Sequence, residues 1–238
     1  MMKKNLAICL LTAPLFFVAC KSKCVEDSGN HSTKEVSVKP YDEIEVSGPI
    51  KLIIRQDSTY KLVIEADSNV INLVKADVSG HELTLKLDAD KYCGTDSIII
   101  SAGIGELKKL KASAAAKVYT SSKVNLNDIS ISLAGATVLN IDLNAGKLTL
   151  NNDGVSKINL SGQAGVNQLT SKGSLELNSF AFIAGVYNIN VDGNVKANIN
   201  VLNELNVKTT GAAEIYYKGN PKNVEQKKTG VLKLEKVN

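Results

Sequence analysis

A glycine that returns about every nineteen residues is the feature of this sequence that most limits its fold. Consecutive members are 19, 19, 20 and 18 residues apart, at Gly135, Gly154, Gly173, Gly193 and Gly211. An apolar residue stands four positions before and four positions after every one of these glycines. The column before them is Ile131, Leu150, Leu169, Ile189 and Val207, and the column after them is Leu139, Ile158, Leu177, Ala197 and Ile215. Such a period indicates a solenoid, in which each repeat forms one coil that stacks on the next.

The coils are predicted to consist of β-strands. Leucine-rich repeats have a similar period, but their Leu-x-x-Leu-x-Leu pattern is missing here. Val, Ile, Leu, Asn, Ser and Gly recur while aromatic residues make up only 5%, which favours strands and turns. Successive coils of a β-solenoid pair about 4.8 Å apart, and their side chains alternate between interior and surface. We therefore predict an all-β solenoid with coils of about 19–20 residues.

An asparagine repeat follows the same period, five residues after the repeat glycines. Its members are Asn140, Asn159, Asn178 and Asn198. Their neighbours are mostly apolar, so alternation places the asparagines on the surface. We expect their amides to form a ladder of hydrogen bonds from coil to coil. The glycines are expected to adopt backbone angles that a Cβ would oppose.

The first nineteen residues are predicted to be a signal peptide. Lys3 and Lys4 precede an apolar stretch from Leu6 to Ala19, which is short for a membrane-spanning helix. The stretch "FVAC" ends at Cys20 and resembles the lipobox of bacterial lipoproteins. That resemblance implies cleavage before Cys20, acylation of Cys20 and anchoring in the bacterial cell envelope, at the outer membrane, facing the periplasm or the cell surface. The alternative is an ordinary signal that leaves Cys20 as a free thiol.

The rest of the chain is predicted to form a tether and one β-rich domain. The tether is residues 20–35, and the domain, residues 36–238, divides into an N-terminal part (36–110), regular coils (111–220) and a C-terminal cap (221–238). Cys9 would leave with the signal. Cys24 and Cys93 would then share an oxidising compartment in which they could form a disulfide, and the sequence leaves open whether they do.

Several stretches resemble the head GIN domain family of putative auto-transporter adhesins. They are the opening "YDEIEVSGPIKLIIRQ", the phrase "IGELKKLKASAAAKVY" and the ending "TTGAAEIYYKGNPKNVEQKKTG". The resemblance covers about residues 40–235 and implies a right-handed parallel β-helix on an envelope protein. Alanine replaces glycine of the family's usual turns at "SAAAK" and "TTGAAE". The adhesin role that the resemblance implies is an analogy at the level of the fold.

No pattern in the sequence predicts catalysis, a cofactor or a metal site. Outward positions alternate in charge at Lys157, Glu176 and Lys196, which is typical of a solvated ladder and not of paired catalytic carboxylates. His31 falls in the tether and His81 in a turn, without a partner that the sequence identifies. The net charge is +4 and falls to about +2 without the two leader lysines, so no nucleic-acid partner is expected.

Three aromatic residues are candidate surface contacts. Phe180, Phe182 and Tyr216 have outward parity, and exposed rings can contact sugars or partner proteins. In the alternative, which we favour, the twenty-residue coil that starts at Gly173 bulges and folds these rings under a loop.

These observations predict an envelope-anchored β-helical lipoprotein that acts as a non-catalytic module for binding, adhesion or structure. Its partners would be the membrane, through the N-terminal lipid, and a glycan or protein ligand. The alternative is a carbohydrate-active enzyme on the same fold, either a polysaccharide lyase or a hydrolase.

Overall fold

The computed structural model describes residues 24–89 and 91–238. Those residues form β-strands and one turn of 3₁₀-helix at Ile71–Leu73. None of their helical segments has the length and apolar character that crossing a membrane requires. The strands are β1 (His31–Ser37), β2 (Glu43–Ser47), β3 (Ile50–Gln56), β4 (Lys61–Asp67), β5 (Val74–Ser79), β6 (Glu82–Leu87), β7 (Ile98–Ile104), β8 (Lys109–Ser113), β9 (Lys117–Thr120), β10 (Val124–Asn125), β11 (Asp128–Leu133), β12 (Ala136–Asn152), β13 (Val155–Ser171), β14 (Ser174–Val191), β15 (Asn194–Thr209), β16 (Ala212–Lys218), β17 (Asn223–Lys228) and β18 (Val231–Lys236).

Two ladders of parallel strands make up the coils. Ladder 1 joins β6, β2, β8 and β11 to the second halves of β12–β15 and ends at β17. Ladder 2 joins β7, β3 and β9 to the first halves of β12–β15 and ends at β16 and β18. Together they form a β-solenoid of about seven turns. The predicted fold class is confirmed, and its right-handed sense stays a prediction.

The spatial order of the coils departs from their order in the sequence at the N-terminal end. The coil formed by β6 and β7 lies outside the coil formed by β2 and β3, which is followed on its other side by β8 and β9. Antiparallel strands complete this end. β5 pairs with β6, while β4 pairs with β7 and β1 pairs with β4.

The two predicted apolar columns lie in the interior. Leu139, Ile158 and Leu177 are direct neighbours in successive coils, and all three are fully buried. The column before the glycines is equally buried, including Leu150 and Leu169. Burying a side chain of this size stabilises the fold by about 1.5–3 kcal/mol relative to leaving it exposed. The period of the apolar residues therefore defines the core.

The repeat glycines allow the coils to pack closely. Most of them do not adopt the unusual backbone angles that the sequence suggested. Only Gly135 of the series has a positive φ, at +69°. A Cβ placed on Gly173 would instead lie 2.0 Å from the carbonyl oxygen of Gly154 in the preceding coil. The same contact recurs at Gly193 and Gly211. The prediction of opposed backbone angles is wrong for most of the column, because the neighbouring backbone occupies the space of the side chain.

The predicted tether, residues 20–35, is wrong from Cys24 onward. Cys24 is bonded to Cys93 in a disulfide with a Cα–Cα distance of 5.8 Å, and β1 pairs with β4 along its whole length. The polar composition of this segment indicated a flexible chain. An edge strand tolerates such a composition because its backbone hydrogen bonds hold it while its side chains remain in water.

Asp27 fastens the same segment to the loop that precedes β7. Its carboxylate accepts hydrogen bonds from the Tyr92 hydroxyl at 2.6 Å, from the Thr95 amide at 2.6 Å and from the Asp96 amide at 2.8 Å. The Tyr92 hydrogen bond is the main reason why the pKa of Asp27 lies below its usual value, followed by the Asp96 amide. Residues 24–37 are therefore part of the folded body.

The C-terminal residues form one more coil. β17 pairs with β15 and β18 pairs with β16, both in parallel. The interior-facing column becomes polar here, because Gln226 follows Val207 and Lys228 follows Thr209. All residues of β17 are exposed. The predicted cap thus has the shape of a coil that is mostly polar in ladder 1, while Leu232 and Leu234 of β18 continue the apolar column of ladder 2.

Candidate functional site

The four repeat asparagines form a straight row on the surface of ladder 2. The side-chain nitrogen of Asn159 donates to the oxygen of Asn140 at 2.5 Å. Asn178 donates to Asn159, and Asn198 donates to Asn178, each at 3.1 Å. The predicted ladder is confirmed. An amide has two N–H donors and an oxygen with two lone pairs, so a row of this kind keeps donors and acceptors for a ligand.

A tyrosine stands at each end of this row. Tyr119 pairs with Asn140 in the ladder, and Tyr216 pairs with Asn198. Six side chains in five strand spacings span about 24 Å. We call this row the asparagine face, and its members are Tyr119, Asn140, Asn159, Asn178, Asn198 and Tyr216. Both rings are half-buried, and both have a lysine above them. The Lys51 nitrogen is 5.2 Å from the Tyr119 ring centre, and the Lys233 nitrogen is 4.7 Å from that of Tyr216.

A charged row runs beside the asparagine face, two residues earlier in each of the strands β13–β16, at Lys157, Glu176, Lys196 and Glu214. Lys157 and Glu176 form an ion pair of 3.0 Å, as the alternation of charge predicted. The hydrogen bond from Lys157, and then that from Asn178, hold the pKa of Glu176 below its usual value. The Tyr216 hydroxyl, and then Lys233, lower the pKa of Glu214. A general acid of a glycosidase needs a raised pKa. These two carboxylates are instead stabilised in the ionised form, which suits binding.

Two of the three candidate aromatic residues lie at the surface. Tyr216 belongs to the asparagine face, and Phe180 is half-buried beside it, with the Lys218 nitrogen 4.9 Å from its ring centre. The prediction is wrong for Phe182, which is fully buried.

An extra residue in the strand causes the burial of Phe182. Asn159 pairs with Asn178, but Gly162 pairs with Phe182, so the register shifts by one residue between them. The shift reverses the alternation of side chains and turns Phe182 to the interior. There it lies beside Gly162, which has no side chain of its own. The bulge of the alternative is present, but it turns Phe182 into the solenoid interior and not under a loop.

Sequence reasoning missed a second polar row, at the C-terminal end of ladder 1. Asn206 donates to the side-chain oxygen of Asn188 at 2.9 Å, beside an open cleft of about 320 Å³. Lys208 and Lys227 line the same cleft. Asn188 and Asn206 each stand five residues before a repeat glycine, and this spacing was the available signal.

Of the remaining predicted site residues, those that the structure describes lie away from these rows. Cys20 lies outside the described residues. Cys24 and Cys93 form the disulfide described above. His81 is exposed in the turn between β5 and β6.

The sequence and the fold both resemble those of known proteins. A family described as "Putative auto-transporter adhesin, head GIN domain" matches residues 40–221. No curated protein matches significantly. A putative adhesin of Bacteroides fragilis has a similar structure, with a TM-score of 0.80 and 20% identity over 90% of this chain and 100% of that chain.

Two Parabacteroides structures share the fold as well. A putative adhesin of Parabacteroides merdae has a TM-score of 0.67 and 24% identity over 90% of this chain and 99% of that chain. A protein of Parabacteroides distasonis described as a putative lipid binding protein has a TM-score of 0.68 and 21% identity. It covers 91% of this chain and 100% of its own. At identities of 20–24%, the similarity of this chain to the three structures concerns the fold alone.

Proposed function

Since the chain belongs to the family described as putative auto-transporter adhesins with a head GIN domain, we propose that it is a non-catalytic binding module of the bacterial cell envelope. It holds an extended glycan along the asparagine face, and a lipid on Cys20 anchors it in the outer membrane. The observation that carries the glycan assignment is the unbroken row of amides between two tyrosines.

The chemistry of the asparagine face matches that of a sugar chain. Sugar hydroxyls both donate and accept hydrogen bonds, as amides do. The amides recur at the strand spacing of about 4.8 Å, so a polymer of regular repeat meets equivalent groups along its length. Tyr119 and Tyr216 offer rings for stacking at the two ends. An exposed cation–π contact contributes only about 0.5–1 kcal/mol, so a ligand can displace the lysines above these rings.

The anchor would hold the solenoid close to the membrane. Because Cys24 is fixed by its disulfide, only three residues separate it from Cys20. Four extended residue steps span at most about 14 Å. The N-terminal end of the solenoid would therefore lie near the lipid surface, and the asparagine face would extend away from it.

A binding assay tests the glycan assignment. We expect affinity electrophoresis of the full chain in gels that contain a glucan, a mannan, a glycosaminoglycan or peptidoglycan fragments to show retardation by at least one polymer. Asn159→Ala combined with Asn178→Ala should weaken that binding by roughly 5- to 150-fold, since each of the two lost hydrogen bonds contributes about 0.5–1.5 kcal/mol. The matched control is Asn188→Ala combined with Asn206→Ala, which removes the second amide row and should leave binding unchanged.

Three outcomes would contradict this proposal. Equal binding by both double variants would place the ligand elsewhere, and capture of proteins without binding to any polymer would favour a protein ligand. New reducing ends or unsaturated products in the polymer would favour the alternative of a hydrolase or a lyase.

The anchor has its own test. Cys20→Ala should abolish acylation and release the protein from membranes, whereas mass spectrometry of the wild-type N-terminal peptide should detect lipid. Protease treatment of intact cells then distinguishes a surface position from a periplasmic one. A wild-type protein without lipid would exclude the anchor.

A further inference from the structure

Three side chains that could bind a metal ion meet at the N-terminal end of the solenoid. His31, Asp67 and Asp96 offer ligand atoms that all lie within 4.8 Å of one another. The Nδ1 atom of His31 is 3.1 Å from Oδ1 of Asp67, and its Nε2 atom is 3.8 Å from Oδ2 of Asp96. The residues are far apart in sequence. They come together because His31 is the direct partner of Asp67 in the pairing of β1 with β4.

One oxygen of Asp67 is buried without a hydrogen-bond partner among the described residues. The side chain of Asp67 is 0% exposed, and its Oδ1 atom faces His31. Although the two atoms are 3.1 Å apart, no hydrogen bond of acceptable geometry joins them. A buried carboxylate oxygen without a donor is costly, so it indicates a missing partner. Two atoms that bind one Zn²⁺ lie roughly 3.3 Å apart without pointing at each other, because each bond to the ion is about 2.0–2.2 Å long. The Nδ1 atom of His31 and Oδ1 of Asp67 have this spacing. An imidazole binds one ion through one nitrogen, so the exposed Asp96 side chain, which lies near Nε2, would rotate to reach an ion held at Nδ1.

Hydrogen bonds hold the Asp67 carboxylate and the backbone of Asp96 in place. The other oxygen of Asp67 accepts a hydrogen bond from the Gly29 amide at 2.7 Å and one from the Ser28 hydroxyl at 3.4 Å. The backbone N–H of Asp96 donates a hydrogen bond to the Asp27 carboxylate at 2.8 Å. Bonds of this kind orient ligands before a metal arrives. The disulfide between Cys24 and Cys93 also joins the segment before β1 to the loop before β7.

From this geometry we propose that His31, Asp67 and Asp96 form a binding site for a divalent transition-metal ion of the Zn²⁺ class. An imidazole with two carboxylates suits Zn²⁺, Co²⁺ or Ni²⁺, whereas Ca²⁺ and Mg²⁺ prefer oxygen ligands alone. His31 and Asp96 border an open cleft of about 370 Å³, which gives water access to the remaining coordination position. The bound ion would link β1 to the loop before β7. This site is separate from the asparagine face and does not depend on the proposed glycan.

Metal titration of the full chain tests this site. The protein is purified under oxidising conditions without a polyhistidine tag, stripped with EDTA, and titrated with Zn²⁺ by calorimetry. We expect one equivalent to bind, and Co²⁺ to give a visible spectrum that Zn²⁺ removes. Loss of a residue that only hydrogen-bonds to a ligand weakens metal binding roughly 10–100-fold. His31→Ala and Asp96→Asn should each weaken Zn²⁺ binding by more than this, because each changes a ligand itself. These side chains are 73% and 44% exposed, so both variants should fold as the wild type does.

The chain contains its own control, because His81 is its only other histidine. His81→Ala should bind Zn²⁺ like the wild type. The site would be excluded if the wild type bound no Zn²⁺, as expected when His31 and Asp67 form a simple ion pair. It would equally be excluded if His31→Ala bound as tightly as His81→Ala.

Discussion

At the scale of single residues, alternation along the strand separates the side chains that stabilise the solenoid from those available to a ligand. Within one strand, Ile158 is buried and Asn159, the next residue, faces outward to bond with Asn140 and Asn178. Neighbouring positions therefore have opposite roles, and substitutions at them should have different consequences.

Stability measurements should show this difference between interior and surface. Leu169→Ala should lower the free energy of unfolding by about 2–5 kcal/mol, because it removes a buried side chain and leaves a cavity. Asn159→Ala should cost at most about 0.5–1.5 kcal/mol for each of the two partly solvated ladder bonds that it removes. Denaturant unfolding monitored by circular dichroism measures both values. Equal losses of unfolding free energy in the two variants would mean that the leucine column is not the interior one and the asparagine column not the surface one.

Asn167 is an exception to the alternation, since a polar side chain occupies an interior position. It follows Leu148 in its column, is fully buried, and has no hydrogen-bond partner among the described residues for either amide atom. The hydroxyl of its neighbour Tyr187 likewise lacks a partner there, and burial raises the pKa of Tyr187 above its usual range.

Replacing this buried amide should stabilise the protein. Asn167→Leu should raise the free energy of unfolding by about 1–3 kcal/mol, because it removes an unpaired polar group from the interior. The control, Asn159→Leu on the surface, should give no such gain in the same unfolding experiment. Destabilisation by Asn167→Leu would contradict this expectation.

At the scale of elements, each coil is a template for the next. Long strands such as β13 pair with β12 on one side and β14 on the other, so most backbone groups are satisfied between coils. The last coil has no such neighbour on its outer side within the described chain. Its strands β17 and β18 pair only inward, and β17 is exposed and rich in charge. Charged edge strands discourage the addition of another chain.

Removal of the last coil should expose an edge that invites association. Without residues 221–238, apolar Val207 and Ile215 would lose their covering strands, since they pair with Gln226 and Leu234. We expect the shortened chain to aggregate or to unfold at lower temperature, measured by light scattering and thermal melting. A shortened chain that stays monomeric and melts like the full-length protein would contradict the role of this coil as a cap.

At the scale of the whole molecule, the N-terminal segment closes one end of the solenoid. The disulfide spans 69 residues, and β1 adds an antiparallel strand to β4. Both contacts join parts of the chain that do not lie one repeat period apart. This end therefore depends on a few specific links, while the regular coils depend on many equivalent ones.

Loss of the disulfide should loosen this end selectively. Cys24→Ser combined with Cys93→Ser should lower the stability by about 2–4 kcal/mol, because a crosslink over a long loop restricts the unfolded chain. Limited proteolysis should then cleave first within residues 24–37, with the coils at 111–220 still intact. Wild type under reducing conditions is the matched comparison. An unchanged cleavage pattern would mean that β1 and Asp27 hold the segment without the disulfide.

The sequence by itself determined the regular coils, the identity of the core columns and the asparagine row. In a solenoid, residues one period apart are neighbours, so the contacts between coils can be predicted from the period of the sequence. Leu150 and Leu169, for example, could be placed side by side without any structure.

Only the tertiary structure decided the contacts between residues that are not one repeat period apart, and the local departures from the repeat. These are the exchanged order of the first coils, the pairing of β1 with β4, the inward turn of Phe182, and the meeting of His31 with Asp67 and Asp96. The physical reason is that such contacts depend on antiparallel pairing, a local bulge and a disulfide between distant segments. Composition alone made residues 24–35 look unstructured, although specific pairing holds them in the fold.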